Sequence, residues 1–509
     1  MNIQKQLIRS LALVMCACML LTAIACGKAD TTPTETTGAA DATVASTTVT
    51  DAVSTEPAET QDPATVDELP EKNYNNETFS VMYRTEWAYE FIANEINGEL
   101  INDAVYKRNA DVEERFGVKL EFLPVNGAYE HRDSFRNTVI AAVNSGDDTY
   151  DMISCYQSIM TPIITGGYLY DINEMPHIDL SKVWWSQKVA DAYTVADQCY
   201  MITGDISLSF WEYALVYFFN KKLSSEYQLP DLYQIVKDGK WTLDKVIELT
   251  NNVYSDLNGD GKKDKNDSFG FVSAYDNHIR SYTISSAIPV APRGDDGYLT
   301  LAFGGERPQT LVEKLIALHY APGTLMGYGA TNDPQSGQIP TVFTENRALM
   351  MSWYLGNAAV IRDMEADFGI LPYPKLDENQ ETYSTVSLYQ LSMICFPNTI
   401  KDTEMCGMIA EAMCMESYHE VIPSYYDLIL KAKNVRDEQS AEMVDLIRES
   451  ITFDPGWVYG TVIGSPNQII ENLVEANNPN FASAFKAQEK AINKKVEQLN
   501  ETFKKLAEG

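Results

Sequence analysis

The densest run of potential ligand atoms in the chain is DLNGDGKKDKND, residues 256–267. Asp256, Asn258 and Asp260 fill the first, third and fifth positions of a D-x-[DN]-x-[DN]-G loop. Gly261 supplies its sharp turn, the Lys262 carbonyl falls seventh, and Asp264 and Asp267 fall ninth and twelfth. Oxygen donors at this spacing wrap a hard cation, so the loop is expected to hold a structural calcium ion. Two departures favour the alternative, an acidic surface turn without metal: Asp267 is shorter than the bidentate Glu that usually closes such a loop, and Lys263 stands where an apolar residue normally packs.

Nothing else is grouped for catalysis. His131, His177, His278, His319 and His419 are scattered, and no H-E-x-x-H, C-x-x-C, G-x-S-x-G or phosphate-binding glycine loop occurs. A glycosidase needs two carboxylates across the scissile bond, but with 72 acidic residues such pairs can be drawn anywhere and select nothing. Cys155, Cys199, Cys395, Cys406 and Cys414 are odd in number and irregularly spaced, as expected of buried small hydrophobes rather than a disulfide framework. A formal charge of -33 repels polyphosphate, so nucleic acid and acidic membrane surfaces are poor candidates as partners; the acidity reads as a solvated surface.

The start of the chain carries an address. Lys5 and Arg9 precede an apolar run from Leu11 to Ala25 that is shorter than the ~20 residues of a membrane-spanning helix, so residues 1–25 read as a secretory signal. The sequence around its end, Ala23-Ile24-Ala25-Cys26-Gly27, resembles a bacterial lipobox, which implies acylation of Cys26 and attachment to the membrane through that lipid; ordinary cleavage leaving Cys26 free is the alternative. Residues 27–73 contain no aromatic residue and no Ile, and cannot bury enough surface to offset ordering entropy. Residues 26–73 are therefore expected to be a disordered tether.

The elements that must position any site alternate in type. Phe79, Val81 and Tyr83 predict a strand; Ile101, Val105, Val112 and Phe116 a helix capped by Asn102 or Asp103 and stopped by Gly117; Val118, Leu120 and Phe122 a second strand. Phe135, Val139 and Val143 predict a helix ending near Gly146, and Tyr150 to Ser154 a third strand. Further on, 214–219, 269–273, 347–353 and 368–371 read as strands, 242–253 and 310–319 as helices, and the stripe from Phe485 to Leu506 as a final packing helix. This is the α/β pattern of mainly parallel sheets, which bind ligands at the carboxyl ends of their strands.

Six passages carry a family resemblance: NDAVYKRNADVEERFGVKLE (102–121), YDMIS (150–154), ALVYFFNKKL (214–223), WTLDKVIELTN (241–251), FTENRALMMSWYLGN (343–357) and DFGILPYPK (367–375). By their pattern the region from 75 to 505 resembles the maltose-binding type of extracellular solute-binding protein, which delivers ligands to ABC importers. The resemblance implies a type II periplasmic-binding-protein-like fold with ligand between two α/β lobes, 74–203 with 380–425 and 204–379 with 426–509. It also implies a monomer, permease subunits as partners, no enzymatic activity, and a sugar, as an oligosaccharide, for ligand. A peptide or other small polar ligand, a surface carbohydrate-active enzyme and an adhesin or sensor remain the other readings.

A sugar needs flat aromatic surfaces for its C–H face and converging polar groups for its rim; 7 Trp and 29 Tyr supply the former. Trp353 stands where the family often places a stacking tryptophan, with a core tryptophan as the alternative. Trp184 and Trp185 come next, and on a helix they would point about 100° apart, so at most one should face ligand. Arg84, Glu86 and Trp87 follow the first strand, and Tyr156 and Gln157 the third. Asp205 and Trp211 lie near the first lobe crossing, expected at 200–213, and Trp457 lies in the DPGW turn. A second crossing is expected at 383–394.

Overall fold

The computed structural model describes residues 62–327, 339–388, 390–430 and 438–508. The signal segment, Cys26 and the tether as far as residue 61 lie outside the described residues. Residues 62–73, expected to be part of the tether, are instead laid against the folded body. Val183 N–H donates to the Ala64 carbonyl, Lys182 pairs with Glu68 at 2.6 Å, Arg115 pairs with Asp67 at 2.6 Å, and Leu69 packs on the core. The ion pairs and Leu69 give this acidic stretch partners that its composition does not reveal.

The first sheet has the order β10-β3-β1-β2, built from β1 (Glu77–Arg84), β2 (Val118–Val125), β3 (Met152–Tyr156) and β10 (Ser392–Cys395). β1 is parallel to both neighbours, with Val81 opposite Phe122 on one side and Met152 on the other. Its last six residues are all buried, as in a central strand covered on both faces, whereas the edge strand β2 begins by alternating buried and exposed residues. The helices Leu100–Phe116 and Arg132–Ser145 make the parallel crossovers. Gly117 ends the first in the left-handed conformation, φ 57°, and a Cβ there would meet the Asn73 side chain at 2.5 Å. The expected caps Asn102 and Asp103 lie inside this helix, after Glu99; Asp103 instead receives the backbone N–H groups of Asn97 and Gly98, which fold back over the first turn.

The second sheet is built from β4 (Leu215–Asn220), β5 (Tyr254–Ser255), β6 (Ser268–Ala274), β7 (Thr324–Gly327), β8 (Ala348–Tyr354) and β9 (Phe368–Leu371), in the order β5-β6-β8-β4-β9 with β7 beside β6. β4 is the fully buried strand LVYFFN and runs antiparallel to β8 and β9. β6, β7 and β8 are mutually parallel along their pairings. The amino end of β4 therefore lies on the same side as the carboxyl ends of β6 and β8.

The chain leaves the first sheet after β3, builds the second, and returns as β10. The passages between sheets run side by side. Ile202 and Ile394 exchange backbone hydrogen bonds of 2.7 and 3.0 Å, Leu215 N–H donates to Val386 at 3.0 Å, and Leu388 N–H donates to Tyr213 at 3.1 Å. A third strand of this ladder is Ser450 to Thr452, whose backbone brackets Thr385 with two 2.9 Å bonds. Among the described residues no helix is long and apolar enough to cross a membrane.

Candidate functional site

Arg84 ends β1 and is only 3% exposed. Its guanidinium lies 4.0 Å from the Trp87 ring and 4.4 Å from the Tyr156 ring, and it donates to the Gln390 carbonyl at 2.8 Å. Trp87, in the 3-10 turn Thr85–Glu90, stacks on Tyr213 with ring centres 5.7 Å apart. Tyr213 lies two residues before β4 and meets Tyr354 edge-on at 5.0 Å; Tyr354 adjoins Trp353 at the end of β8, and His278 lies 4.9 Å from Trp353. A continuous aromatic belt thus runs from the carboxyl ends of β1 and β3 to the strand ends of the second sheet. Trp87, Tyr213, Trp353 and Tyr354 are half-buried, so the belt keeps open ring surface.

Polar groups flank it. Glu212 accepts a hydrogen bond from the Tyr89 hydroxyl, and burial, reinforced by Glu90, pushes its carboxyl up to about 7. Such a group can accept from or donate to a hydroxyl near neutral pH. The buried Glu90 carboxylate accepts from Ser209 N–H at 2.7 Å and Ser392 Oγ at 2.5 Å, tying the turn after β1 to both passages between sheets. Burial holds His278 down at about 3, so its imidazole is neutral. Adjoining is a 290 Å³ cavity lined by Gln157 and Ser158 after β3, Asn277 and Arg280 after β6, and Trp457 and Asn467. Ser158 Oγ, Trp457 Nε1 and Asn467 Oδ1 there, with Trp87 Nε1 and Arg84 Nε in the belt, are buried atoms without a hydrogen-bond partner among the described residues. Buried polar atoms are normally satisfied, so these are five polar atoms that a ligand could satisfy.

Comparison with family models and with curated proteins finds no match. Solved structures do match, along nearly their whole length. A cyclo/maltodextrin-binding protein complexed with maltotetraose superposes at a TM-score of 0.55, with 12% identity, over 83% of this chain and 97% of that one. An ABC substrate-binding protein of Listeria monocytogenes in complex with cycloalternan gives 0.54, 15%, 82% and 99%. A solute-binding protein of Thermotoga lettingae bound with α-D-tagatose gives 0.53, 12%, 83% and 100%. The chain has the ABC solute-binding-protein fold. In that two-lobed fold the belt joins the strand ends of the two sheets.

The sequence-predicted residues divide into two groups on this frame. Arg84, Glu86, Trp87, Tyr156, Gln157, Trp353 and Trp457 lie on or beside the belt and its cavity. Besides Arg84, both Gln157 and Glu86 have protein partners: Gln157 Nε2 donates to the carbonyls of Trp457 at 3.2 Å and Val458 at 2.6 Å, and Glu86 accepts from Gly127 N–H at 3.3 Å. Trp184, Trp185, Asp205 and Trp211 instead surround a different cavity. Trp184 and Trp185 are not on a helix but in the turn before Gln187–Tyr193, and both indole N–H groups donate to the buried Glu411, at 2.7 and 2.6 Å. One carboxylate thus fixes both rings. Glu212, Tyr213, His278 and Tyr354 were missed by the sequence reading.

The loop 256–267 has the turns its glycines require, Gly259 at φ 71° and Gly261 at φ 70°. Its carboxylates face inward onto the backbone: Asp256 receives Gly259 and Gly261 N–H, Asp260 receives Lys262 N–H, and Asp267 receives Leu257 and Asp264 N–H. Lys263 turns away, donating to the Ala321 carbonyl at 3.0 Å. Among the described residues the one trio of carboxylates close enough to share an ion lies elsewhere, Asp276, Glu471 and Glu475, and Arg280 already pairs with Glu471 there.

Proposed function

We propose that the protein captures a sugar, as an oligosaccharide, between the two sheets and delivers it to an ABC importer, held at the outer face of the membrane by a lipid on Cys26. The observation that carries this reading is the belt: open ring surface from Trp87, Tyr213, Trp353 and Tyr354, flanked by Glu212 and by five unsatisfied polar atoms. Aromatic planes match the apolar face of sugar rings, and the directed polar atoms match their hydroxyls. The three solved neighbours described above were each determined with a sugar. The reading is of a receptor, which returns its ligand unchanged.

The two lobes are taken as 74–203 with 380–425 and 204–379 with 426–509, and the ladder of crossing segments as their hinge. A ligand touching both lobes favours the closed arrangement by its differential affinity for it. A thermal-shift screen of the purified protein against maltodextrins, other oligosaccharides, peptides and polyamines tests this directly, since a ligand stabilises the native state by mass action. The expected result is stabilisation by an oligosaccharide, recovery of that sugar intact, and a smaller radius of gyration at saturation. Stabilisation by a peptide alone, or turnover of the sugar, would overturn the reading.

A further inference from the structure

A second cavity lies off the aromatic belt. It measures 510 Å³ and is walled by the turn Val183–Ser186, by the crossing segment Gly204–Trp211 and by the helix Glu438–Ser450. That helix packs on β9 of the second sheet, so the cavity is bounded by elements from both sides of the crossing. Its size falls within the ~300–1,000 Å³ of small-molecule sites.

Its chemistry is specific. Trp185, Phe210 and Trp211 supply apolar wall, and Phe210 braces the Trp211 ring edge-on at 4.8 Å. Asp205 is 3% exposed; its Oδ1 accepts from Trp211 Nε1 at 3.3 Å, while its Oδ2 has no partner among the described residues. The Arg448 guanidinium stands over the Trp211 ring at 5.0 Å, and no ion pair joins it to Asp205 among those residues. A buried carboxylate oxygen left open in this way is the sort of group that a ligand donor satisfies.

The charges narrow the ligand. Arg448 occupies the Trp211 face on which a ligand cation would otherwise sit, and among the other charged groups of the lining the acidic Asp205, Asp445 and Glu449 outnumber Lys188 and disfavour an anion. A neutral ring carrying both donors and acceptors is compatible with these groups: a hydroxyl can donate to Asp205 Oδ2, Arg448 can donate to a ring or hydroxyl oxygen, and the C–H face can rest on the Trp185 side of the wall. We infer that this cavity is a second binding site, for a single neutral sugar ring, separate from the belt.

The test uses the purified protein with D-glucose, D-galactose and D-mannose as probes, followed by saturation-transfer NMR and titration at millimolar concentrations, and methylammonium as the cationic probe. Trp353→Ala reports on the belt, and Asp205→Asn and Arg448→Gln on the cavity. Asn keeps an acceptor for Trp211 Nε1, and Arg448 is partly exposed, so the second variant guards against a folding defect in the first. At least one sugar is expected to bind Trp353→Ala as it binds the parent, and to lose at least about tenfold in affinity in both cavity variants, as for one desolvated polar contact. No sugar binding to Trp353→Ala, binding that both cavity variants leave unchanged, or methylammonium binding in place of sugar would each overturn the assignment.

Discussion

Glu411 offers a quantitative test of how the tryptophan pair is held. Its carboxylate is 2% exposed and accepts from Trp184 Nε1, Trp185 Nε1 and Asp179 N–H. Burial raises its ionisation from 4.5 to about 7, against the opposing pull of the indole donors. Because the native value is the higher one, native protein keeps a proton that unfolded chain has lost. The group's contribution to stability is therefore full below pH 4.5 and falls as pH rises to about 7. At ~1.36 kcal/mol per unit the whole loss is ~3 kcal/mol, of which about 2.5 kcal/mol falls between roughly pH 5 and pH 8. Glu411→Gln removes that titration but turns an amide N–H toward one indole donor, at a cost of ~1–3 kcal/mol. Urea unfolding of both proteins at the two pH values is the assay. The variant should be the less stable at the lower pH, and the gap should shift in its favour by about 2.5 kcal/mol at the higher one. Asp205 and Glu212 titrate in the same range but are present in both proteins, so their own contributions cancel between the two curves. A gap constant to within about 0.5 kcal/mol, the scatter expected for independent sites, would refute the reasoning.

Trp87→Ala and Trp353→Ala should each weaken oligosaccharide binding by ~2 kcal/mol, roughly 30-fold, in calorimetric titration, with the urea midpoint little changed; unaltered affinity in both would remove the belt from the site. The calcium proposal for 256–267 predicts that calcium at about ten times its dissociation constant stabilises the protein by ~1.4 kcal/mol and that chelator reverses this. A melting temperature indifferent to chelator, or to Asp256→Ala with Asp260→Ala, would count against it. If Cys26 is acylated, the protein should fractionate with membranes and Cys26→Ala should release it. Recovery of native protein from the medium with a free Cys26 thiol would sink that expectation.

Much of the scaffold was legible because its signals are local. The alternation in Phe79-Val81-Tyr83 and Val118-Leu120-Phe122, and the left-handed turns at Gly117 and Gly146, mark β1, β2 and the ends of two helices. Arg84, Trp87, Tyr156 and Trp353 could be singled out because they end or follow strands, where open α/β sheets bind ligands. That same rule hides Glu212 and Tyr213. They precede β4, whose antiparallel course brings its amino end to the side where β8 ends, and no local pattern announces a reversed strand. Trp184 and Trp185 fail for another reason. Residue type made them look like stacking surfaces, but the group that fixes them, Glu411, is more than 220 residues away in sequence. Only the folded chain brings that partner to them.

The crossing segment carries two chemistries on consecutive residues. Trp211 faces the 510 Å³ cavity under Arg448, while Glu212 and Tyr213 meet Tyr89 and Trp87 on the belt. Glu90 pins the same short segment to β10 through Ser209 and Ser392. A rotation of this passage that leaves both sheets packed must therefore move Trp211 against the helix Glu438–Ser450 and Tyr213 against Trp87 together. Hinges absorb backbone change at a few such positions while the cores stay rigid. It follows that a molecule in the cavity would alter affinity at the belt only to the extent that it prefers one arrangement of this segment, and that the reverse effect would be equal in size.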